Sequence, residues 1–226
     1  MPDEQMVSRR CFYVIPREGT PHILVHRIES DVFDHLPGNK TIYLKWQQLE
    51  AGIEALTNGH SRIAMEYSTR NANPYISKVD AGTIELVRSF GPEIVPSGDL
   101  IQSFEATWDD EQWQMHLEAA THTNAAFTAA WTFIAEQVRA NGSVEEACVR
   151  DVIMDHFAKN KMTTYHPPIV GVGPHSGNPH YETGTGEKTL IREGDFVLVD
   201  LWAKMDRPRA VYSDLTRTGF VGTGVP

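Results

Sequence analysis

The chain has 226 residues, of which 41% are hydrophobic, so it can form one large globular domain or two small ones. Its formal net charge is −10 at pH 7, with 30 acidic and 20 basic residues. This acidic balance disfavours binding to nucleic acid and to anionic membranes, and neither is expected as a partner.

The cysteines and the N-terminal residues indicate a cytoplasmic protein. Cys11 and Cys148 provide no disulfide framework, and we expect Cys148 to be a small buried residue of a helix. The first residues lack the character of a signal peptide, and no apolar run approaches the length of a membrane span.

Residues 1–104 have a mixed α/β pattern. A helix is predicted over residues 83–90, with Asp80 as its cap and Gly91-Pro92 as its end. A second helix is predicted over 46–56, and short strands are predicted over 11–15, 22–26, 41–44 and 63–65. The histidines of this part are scattered, so no catalytic group of residues is expected here.

From Asp109 onward the pattern indicates two helices. Apolar residues recur at spacings of three and four until Asn141-Gly142 ends the first helix, which predicts one continuous buried stripe. The stripe consists of Trp113, Leu117, Ala120, Asn124, Phe127, Trp131, Ile134 and Val138. Residues 143–146 match a capping box and predict a second helix that runs to about residue 159, with Val149, Ile153 and Phe157 buried.

The most informative stretch, residues 195–221, predicts a buried β-hairpin that carries two carboxylates. Asp200 interrupts the apolar strand 196–201, the return strand spans 211–221, and residues 206–209 form a turn signal. If the hairpin folds about residue 207, Asp200 and Asp214 lie directly opposite each other, with Cβ atoms about 5 Å apart.

Two opposed carboxylates in apolar surroundings share a proton, find basic partners or bind a cation. Hard oxygen ligands on rigid strands suit a divalent metal. The structural alternatives are an ion pair between Asp214 and Arg209 or Arg217, and a position of Asp200 at a fraying strand end. The residues alone leave these possibilities open.

Two other motifs are weaker. Residues 184–189 partly match a phosphate-binding loop but lack its full spacing, and Glu187 would repel phosphate, so an exposed turn is predicted. His166, His175 and His180 could form a zinc site, but their spacings match no zinc motif.

Several strings together resemble the pita-bread metallopeptidases, a family that includes methionine aminopeptidase, aminopeptidase P, prolidase and creatinase. They are Ile169-Val-Gly171, Pro179-His180-Tyr181, and the Ser213-Asp-Leu-Thr-Arg-Thr218 string that follows a Val-Asp strand. The resemblance implies an α/β (α+β) fold in which a small creatinase-like N-terminal domain, residues 1–104, precedes the first half of a pita-bread catalytic domain, residues 105–226. The N-terminal domain favours the proline-directed branch of the family.

The resemblance also implies roles for three residues. Asp200 and Asp214 would bind two divalent ions (Mn, Co or Zn), with Asp214 bridging them. His180 would contact the peptide substrate near the scissile bond and assist proton movement. The implied activity is that of an aminopeptidase or dipeptidase that hydrolyses N-terminal, Xaa-Pro peptide bonds with a metal-activated water, as a homodimer.

The chain departs from the family pattern in three ways. Trp202 occupies a position that commonly holds a small residue, and the connection between Asp200 and Asp214 is longer than usual. The family's further ligands, one His and two Glu, are expected downstream of residue 226, so the chain is interpreted as truncated. We therefore expect these residues alone to bind metal weakly, to be inactive, and to leave strand 196–201 with an uncovered apolar face and an unpaired edge.

Two other functions stay open from the sequence. A creatinase-like amidinohydrolase would use the same fold without relying on the metal centre. A non-catalytic pita-bread module would bind a peptide or partner without cleaving it.

Overall fold

The computed structural model describes residues 7–225, which form two compact units, one ending at Thr107 and the other beginning at Trp108. The domain boundary after residue 104 stays a prediction. Among the described residues, no helix has the length and apolar character needed to cross a membrane.

The first unit contains three α-helices and five strands around its own core. Leu24, Leu49 and Ile53 are buried in that core. The strands are β1 (Phe12–Val14), β2 (His22–His26), β3 (Asn39–Tyr43), β4 (Arg62–Met65) and β5 (Glu93–Pro96). The helices are α1 (Trp46–Thr57), α2 (Ala81–Ser89) and α3 (Gly98–Glu105).

The pairing in this unit is mixed. Strand β2 pairs antiparallel with β1 and parallel with β3, while β4 and β5 form a separate parallel pair. The predicted strand 22–26 is confirmed, and so is the predicted cap of α2, since Asp80 accepts a hydrogen bond of 2.9 Å from the Thr83 backbone N–H.

The second unit begins with helix α4 (Asp110–Asn141), whose two ends follow the predicted signals. The Asp109 side chain caps the first turn by accepting from the Gln112 backbone N–H at 2.9 Å. Gly142 ends the helix with a φ of 79°, a left-handed conformation that favours glycine.

The predicted buried stripe of α4 is wrong over its first half. Trp113 and Leu117 are 47% and 41% exposed, whereas Phe127 and Ile134 are buried as predicted. The buried face of the helix is instead lined by smaller residues, including Ala119, Ala126 and Ala130 together with Thr123. This face contacts the sheet at the strands Phe196–Met205 and Ser213–Phe220, and the predicted spacing, which started from Trp113, placed the stripe on a neighbouring face over this half of the helix.

The capping box predicted at residues 143–146 is also wrong. Ser143–Glu145 forms strand β6, which precedes helix α5 (Glu146–Lys159). The predicted end of α5 and its buried residues Val149, Ile153 and Phe157 are confirmed, whereas Cys148 is exposed rather than buried. The Glu146 side chain is free of a capping role and makes the buried contacts described below.

The remaining strands are β7 (Met162–Thr163), β8 (Ile169–Val172), β9 (Leu190–Arg192), β10 (Phe196–Met205) and β11 (Ser213–Phe220). Strand β9 pairs antiparallel with β6. Strand β10 is central, because it pairs with β11 on one edge and with both β8 and β7 on the other. The expectation that residues 196–201 would have an unpaired edge is therefore wrong.

Strand β10 alternates strictly between two environments. Val197, Val199 and Leu201 are fully buried in the core of the second unit, to which both α4 and α5 contribute. The expectation of an uncovered apolar face is therefore wrong as well. Asp200 and Trp202 lie on the opposite face and are half-buried, so the strand is buried on one side only.

The register of the β10–β11 hairpin differs from the predicted one by two residues. Asp200 pairs with Thr216, and Asp214 pairs with Trp202. The direct opposition of the two carboxylates was therefore a wrong prediction. The paired strands are symmetric about residue 208 rather than about residue 207, and within the connection Arg209 adopts a φ of 64°.

Candidate functional site

The two candidate carboxylates lie on one face of the hairpin, as diagonal neighbours. Directly opposed residues share a face, and alternate residues of one strand share a face, so Asp214 lies on the face of Thr216 and of Asp200. Diagonal neighbours of this kind are about 7–8 Å apart, within reach of one bound ion or a pair of ions. We call this surface the carboxylate face.

The two carboxylates differ in their surroundings. Asp200 is half-buried and accepts a hydrogen bond from the Thr216 hydroxyl group. Partial desolvation raises the pKa of Asp214, and the negative charge of Asp200 adds to that increase. The fold thus brings the negative charge of Asp200 close enough to disfavour the charged form of Asp214.

The basic partners considered for Asp214 bind elsewhere. Arg209 pairs with Asp109 and Glu111 at the start of α4. Arg217 donates to Asn124, and its guanidinium carbon lies 4.8 Å from the centre of the Phe127 ring. Within residues 7–225 no basic side chain forms an ion pair with Asp214, which argues against the structural alternative.

The chemistry of this pair fits a divalent ion only in part. Two hard carboxylate oxygens on neighbouring rigid strands suit such an ion, and its charge would relieve their repulsion. However, the described part of the chain contains no group of three or more His, Cys, Asp or Glu side chains arranged to hold a metal. Catalytic sites of the zinc type usually use three protein ligands. The carboxylate face by itself presents two carboxylates, fewer than the number of ligands that such a site uses.

The three-histidine arrangement is not formed. His175 contacts Glu146, and His166 contacts the carbonyl of Pro167. The segment 184–188 is an exposed turn, as predicted, and Lys188 pairs with Glu145 at 2.8 Å.

His180 lies in an exposed turn after β8, and its backbone N–H donates to the Asn178 side chain at 3.1 Å. Its side chain makes no hydrogen bond with Asp200 or Asp214 in the part of the chain that the structure describes. The residues that follow it are anchored, because the Thr183 hydroxyl group bonds to both backbone groups of Val170 at 2.7 and 3.1 Å.

A buried carboxylate missed by the sequence analysis forms the second anchor of this turn. Glu146 is 2% exposed and accepts hydrogen bonds from the Val172 backbone N–H at 2.7 Å, from the Tyr181 hydroxyl group at 2.6 Å, and from His175 Nδ1 at 3.1 Å. Burial raises the pKa of Tyr181 to about 12, and the Glu146 carboxylate contributes to that value. The His175 ring stacks on Tyr181 with 4.0 Å between ring centres.

Aromatic side chains adjoin the carboxylates on the same face. Trp202, which opposes Asp214, lies 5.7 Å from the ring of Tyr165 and 5.9 Å from that of His166, measured between ring centres. Tyr165 also meets Tyr212 edge to face at 5.7 Å. We call Tyr165, His166, Trp202 and Tyr212 the aromatic cluster. Two of these residues were singled out from the sequence, Trp202 as a departure from a family pattern and His166 as a possible zinc ligand, but no aromatic cluster was predicted.

The family model of metallopeptidase family M24 matches residues 114–226 of this chain. None of the curated protein sequences compared with it matches.

Similar solved structures include a recombinant prolidase from Thermococcus sibiricus, which is 18% identical and has a TM-score of 0.60. The dipeptidase PepE from Mycobacterium ulcerans is 19% identical with a TM-score of 0.63, and an Xaa-Pro dipeptidase from Bacillus anthracis is 18% identical with a TM-score of 0.56. The matches cover 100%, 95% and 97% of this chain but 57%, 54% and 57% of those chains, respectively. At these identities the likeness concerns the fold, and it confirms the predicted α/β architecture.

Proposed function

Because this chain belongs to metallopeptidase family M24, we propose that it carries two ligands of a dinuclear metal centre in an aminopeptidase or dipeptidase that cleaves N-terminal Xaa-Pro bonds. The observation that supports this proposal most directly is the arrangement of Asp200 and Asp214 on one face of the hairpin without a basic partner in the described residues. The matched prolidase and Xaa-Pro dipeptidase folds agree with it.

The protein side of the proposed reaction rests on three residues. Asp200, oriented by the Thr216 hydroxyl group, and Asp214 would hold the ions. When bound, divalent ions supply Lewis-acid polarisation of a peptide carbonyl and lower the pKa of water. His180, exposed beside a well-anchored turn, would contact the peptide near the scissile bond and exchange a proton with it. We further propose that the ions are Mn, Co or Zn, that the enzyme is a homodimer, and that it is located in the cytoplasm.

The first test is a Mn²⁺ titration of the 226-residue chain followed by electron paramagnetic resonance. We expect weak binding, because only two carboxylates are available on the carboxylate face, and we expect Asp200→Ala and Asp214→Ala each to abolish it. Asp206→Ala, in the exposed turn of the same hairpin, serves as the matched control and should bind like the parent chain. Equal binding by all four proteins would contradict the metal assignment.

The second test separates the role of His180 from metal binding. His180→Ala should leave Mn²⁺ affinity unchanged, since this residue lies outside the carboxylate face. In a form of the enzyme with a full ligand set, the same change should lower turnover of an Xaa-Pro dipeptide by about 10²- to 10⁴-fold, as expected for loss of a proton-transfer group. Loss of metal in parallel with turnover would identify His180 as a ligand instead.

One observation favours a second candidate, a non-catalytic peptide-binding module. The described residues assemble fewer than three metal ligands. Peptide binding that persists in the Asp200→Ala and Asp214→Ala variants, without any Mn²⁺ affinity in the parent chain, would favour this module over the peptidase. An amidinohydrolase that does not rely on metal would likewise be indifferent to Mn²⁺.

A further inference from the structure

We propose that the aromatic cluster is a substrate subsite that takes a neutral aromatic side chain of the peptide next to the carboxylate face. This inference rests on the proposed function, since it assigns the specificity of the same site. It concerns Trp202, one of the points at which the chain departs from the family pattern.

The register brings the cluster to the carboxylates. Trp202 is two residues from Asp200 on the same face of β10, and it directly opposes Asp214 on β11. Side chains that oppose each other on antiparallel strands have Cβ atoms about 5 Å apart. A peptide held at the carboxylates therefore extends one of its neighbouring side chains over the indole ring.

The cluster is held in place on one side and is open to solvent at Tyr165, while its other three residues are half-buried. The carbonyl of Tyr212 accepts a hydrogen bond of 2.9 Å from His116 Nδ1 of helix α4, which fixes the backbone of the cluster on that side. Tyr165, in contrast, is 79% exposed, so its ring presents a large free aromatic surface. The Trp202 Nε1 atom is buried and has no hydrogen-bond partner among the described residues, and the indole ring stacks on His166 with 21° between the ring planes.

The charges around the cluster select the kind of side chain. The Lys204 ammonium group lies 5.2 Å from the centre of the Tyr212 ring, so the cation–π position over this one ring is already occupied. Asp200 and Asp214 disfavour an acidic side chain. A neutral flat ring satisfies both conditions and gains offset or edge-to-face contacts with Trp202 and Tyr165.

The test measures binding of two neutral probes, N-acetyl-phenylalanine methylamide and N-acetyl-alanine methylamide, to the 226-residue chain without metal. The indole N–H resonance of Trp202 in the ¹⁵N–¹H correlation spectrum reports the contact directly. We expect the phenylalanine probe to bind more tightly than the alanine probe. Aromatic contacts should contribute about two- to tenfold of this difference in affinity, the range given by aromatic pair energies, in addition to the effect of the larger buried area. It should also shift the Trp202 indole signal.

Variants assign the preference to the cluster. Trp202→Ala and Tyr165→Ala should each bring the two probe affinities close together, whereas Tyr165→Phe should keep the preference. Tyr165 is largely exposed, so its replacement does not endanger folding. Trp46→Ala removes an exposed indole of the first unit and is the matched control. The proposal would be overturned if the parent chain shows no preference for the phenylalanine probe, or if both alanine variants keep that preference. Tighter binding of N-acetyl-lysine methylamide than of the phenylalanine probe would also overturn it.

Addition of Mn²⁺ to the same samples separates this inference from the proposed function. Paramagnetic broadening of the Trp202 indole signal, lost in Asp214→Ala, would support both proposals if the phenylalanine preference is also present. A phenylalanine preference without any such broadening would contradict the proposed metal centre. It would still support recognition of an aromatic ring by the cluster. Broadening without the preference would support the metal site and overturn the subsite.

Discussion

At Asp214 the fold holds a carboxylate where its negative charge is disfavoured. Its pKa is raised by partial desolvation and by the nearby charge of Asp200. A carboxyl group whose pKa is higher in the folded than in the unfolded chain contributes stability at low pH, and that contribution is lost as the pH rises through the folded value. The charged form at neutral pH is therefore a local cost to stability.

We predict that Asp214→Asn raises the melting temperature at pH 7 in the absence of divalent ions, and that the gain disappears as the pH falls below the ordinary pKa of aspartate. The amide keeps the shape of the side chain but removes the repulsion. Thermal melts followed by circular dichroism between pH 3 and pH 8 measure both effects. Asp206→Asn, in the exposed turn, should change little at any pH, and a similar gain in that variant would rule out a local origin.

Glu146 differs from Asp214, because its buried carboxylate accepts hydrogen bonds from Val172, Tyr181 and His175. We predict that Glu146→Ala lowers the free energy of unfolding by about 1–3 kcal/mol for each buried donor left without a partner, chiefly the Val172 N–H and the Tyr181 hydroxyl group. Urea denaturation measures the loss. Glu145→Ala removes only a partly exposed pair with Lys188 and is the control, expected to cost less than about 1 kcal/mol. Equal losses would contradict the assigned network.

The elements were predictable from the sequence where local chemistry decides them. Asp80, Asp109 and Gly142 act at helix ends through their own backbone or side-chain geometry, and the structure confirms all three. Strand β2 and the buried face of α5 follow from runs and spacings of apolar residues, which neighbouring elements did not alter.

The predictions were wrong where contacts between residues far apart in the sequence determine the structure. Ser143–Glu145 pairs with a strand almost fifty residues later in the chain, and this pairing prevails over its local capping pattern. The α4 face was assigned from the spacing of apolar residues, whereas the face buried in the second unit includes Ala119, Ala126 and Ala130. For the site, a carboxylate pair on the hairpin was foreseeable, but the turn signal at residues 206–209 did not define the register, which differs by two residues from the predicted one.

The end of α4 gives a test at the scale of a single element. We predict that Gly142→Ala lowers the free energy of unfolding by about 1–2 kcal/mol, since an L-residue at this positive φ is strained. An added Cβ would meet no atom within 4 Å, so the backbone angle alone carries the cost. Gly177→Ala also has open space but no positive φ, and should be close to neutral. Comparable losses in both variants would exclude the backbone explanation.

At the scale of the whole molecule, each compact unit has its own hydrophobic core. We therefore expect calorimetry to resolve two transitions, one for each unit. Leu49→Ala should shift one of them and Ile153→Ala the other, each by the effect of about 2–5 kcal/mol that is typical of such core truncations. A single transition that both variants shift equally would contradict independent unfolding.

The alternation along β10 has a consequence for how the protein can change over evolutionary time. At the odd-numbered positions from Val197 to Met205, side-chain volume limits which residue types are tolerated, because these side chains fill the core. The side chains at the even-numbered positions lie on the opposite face, outside the core. Many residue types at these positions are therefore compatible with folding. New specificity can therefore arise at the even positions, Trp202 among them, without loss of the scaffold, and a saturation scan of this strand for stability should show tolerance with a period of two.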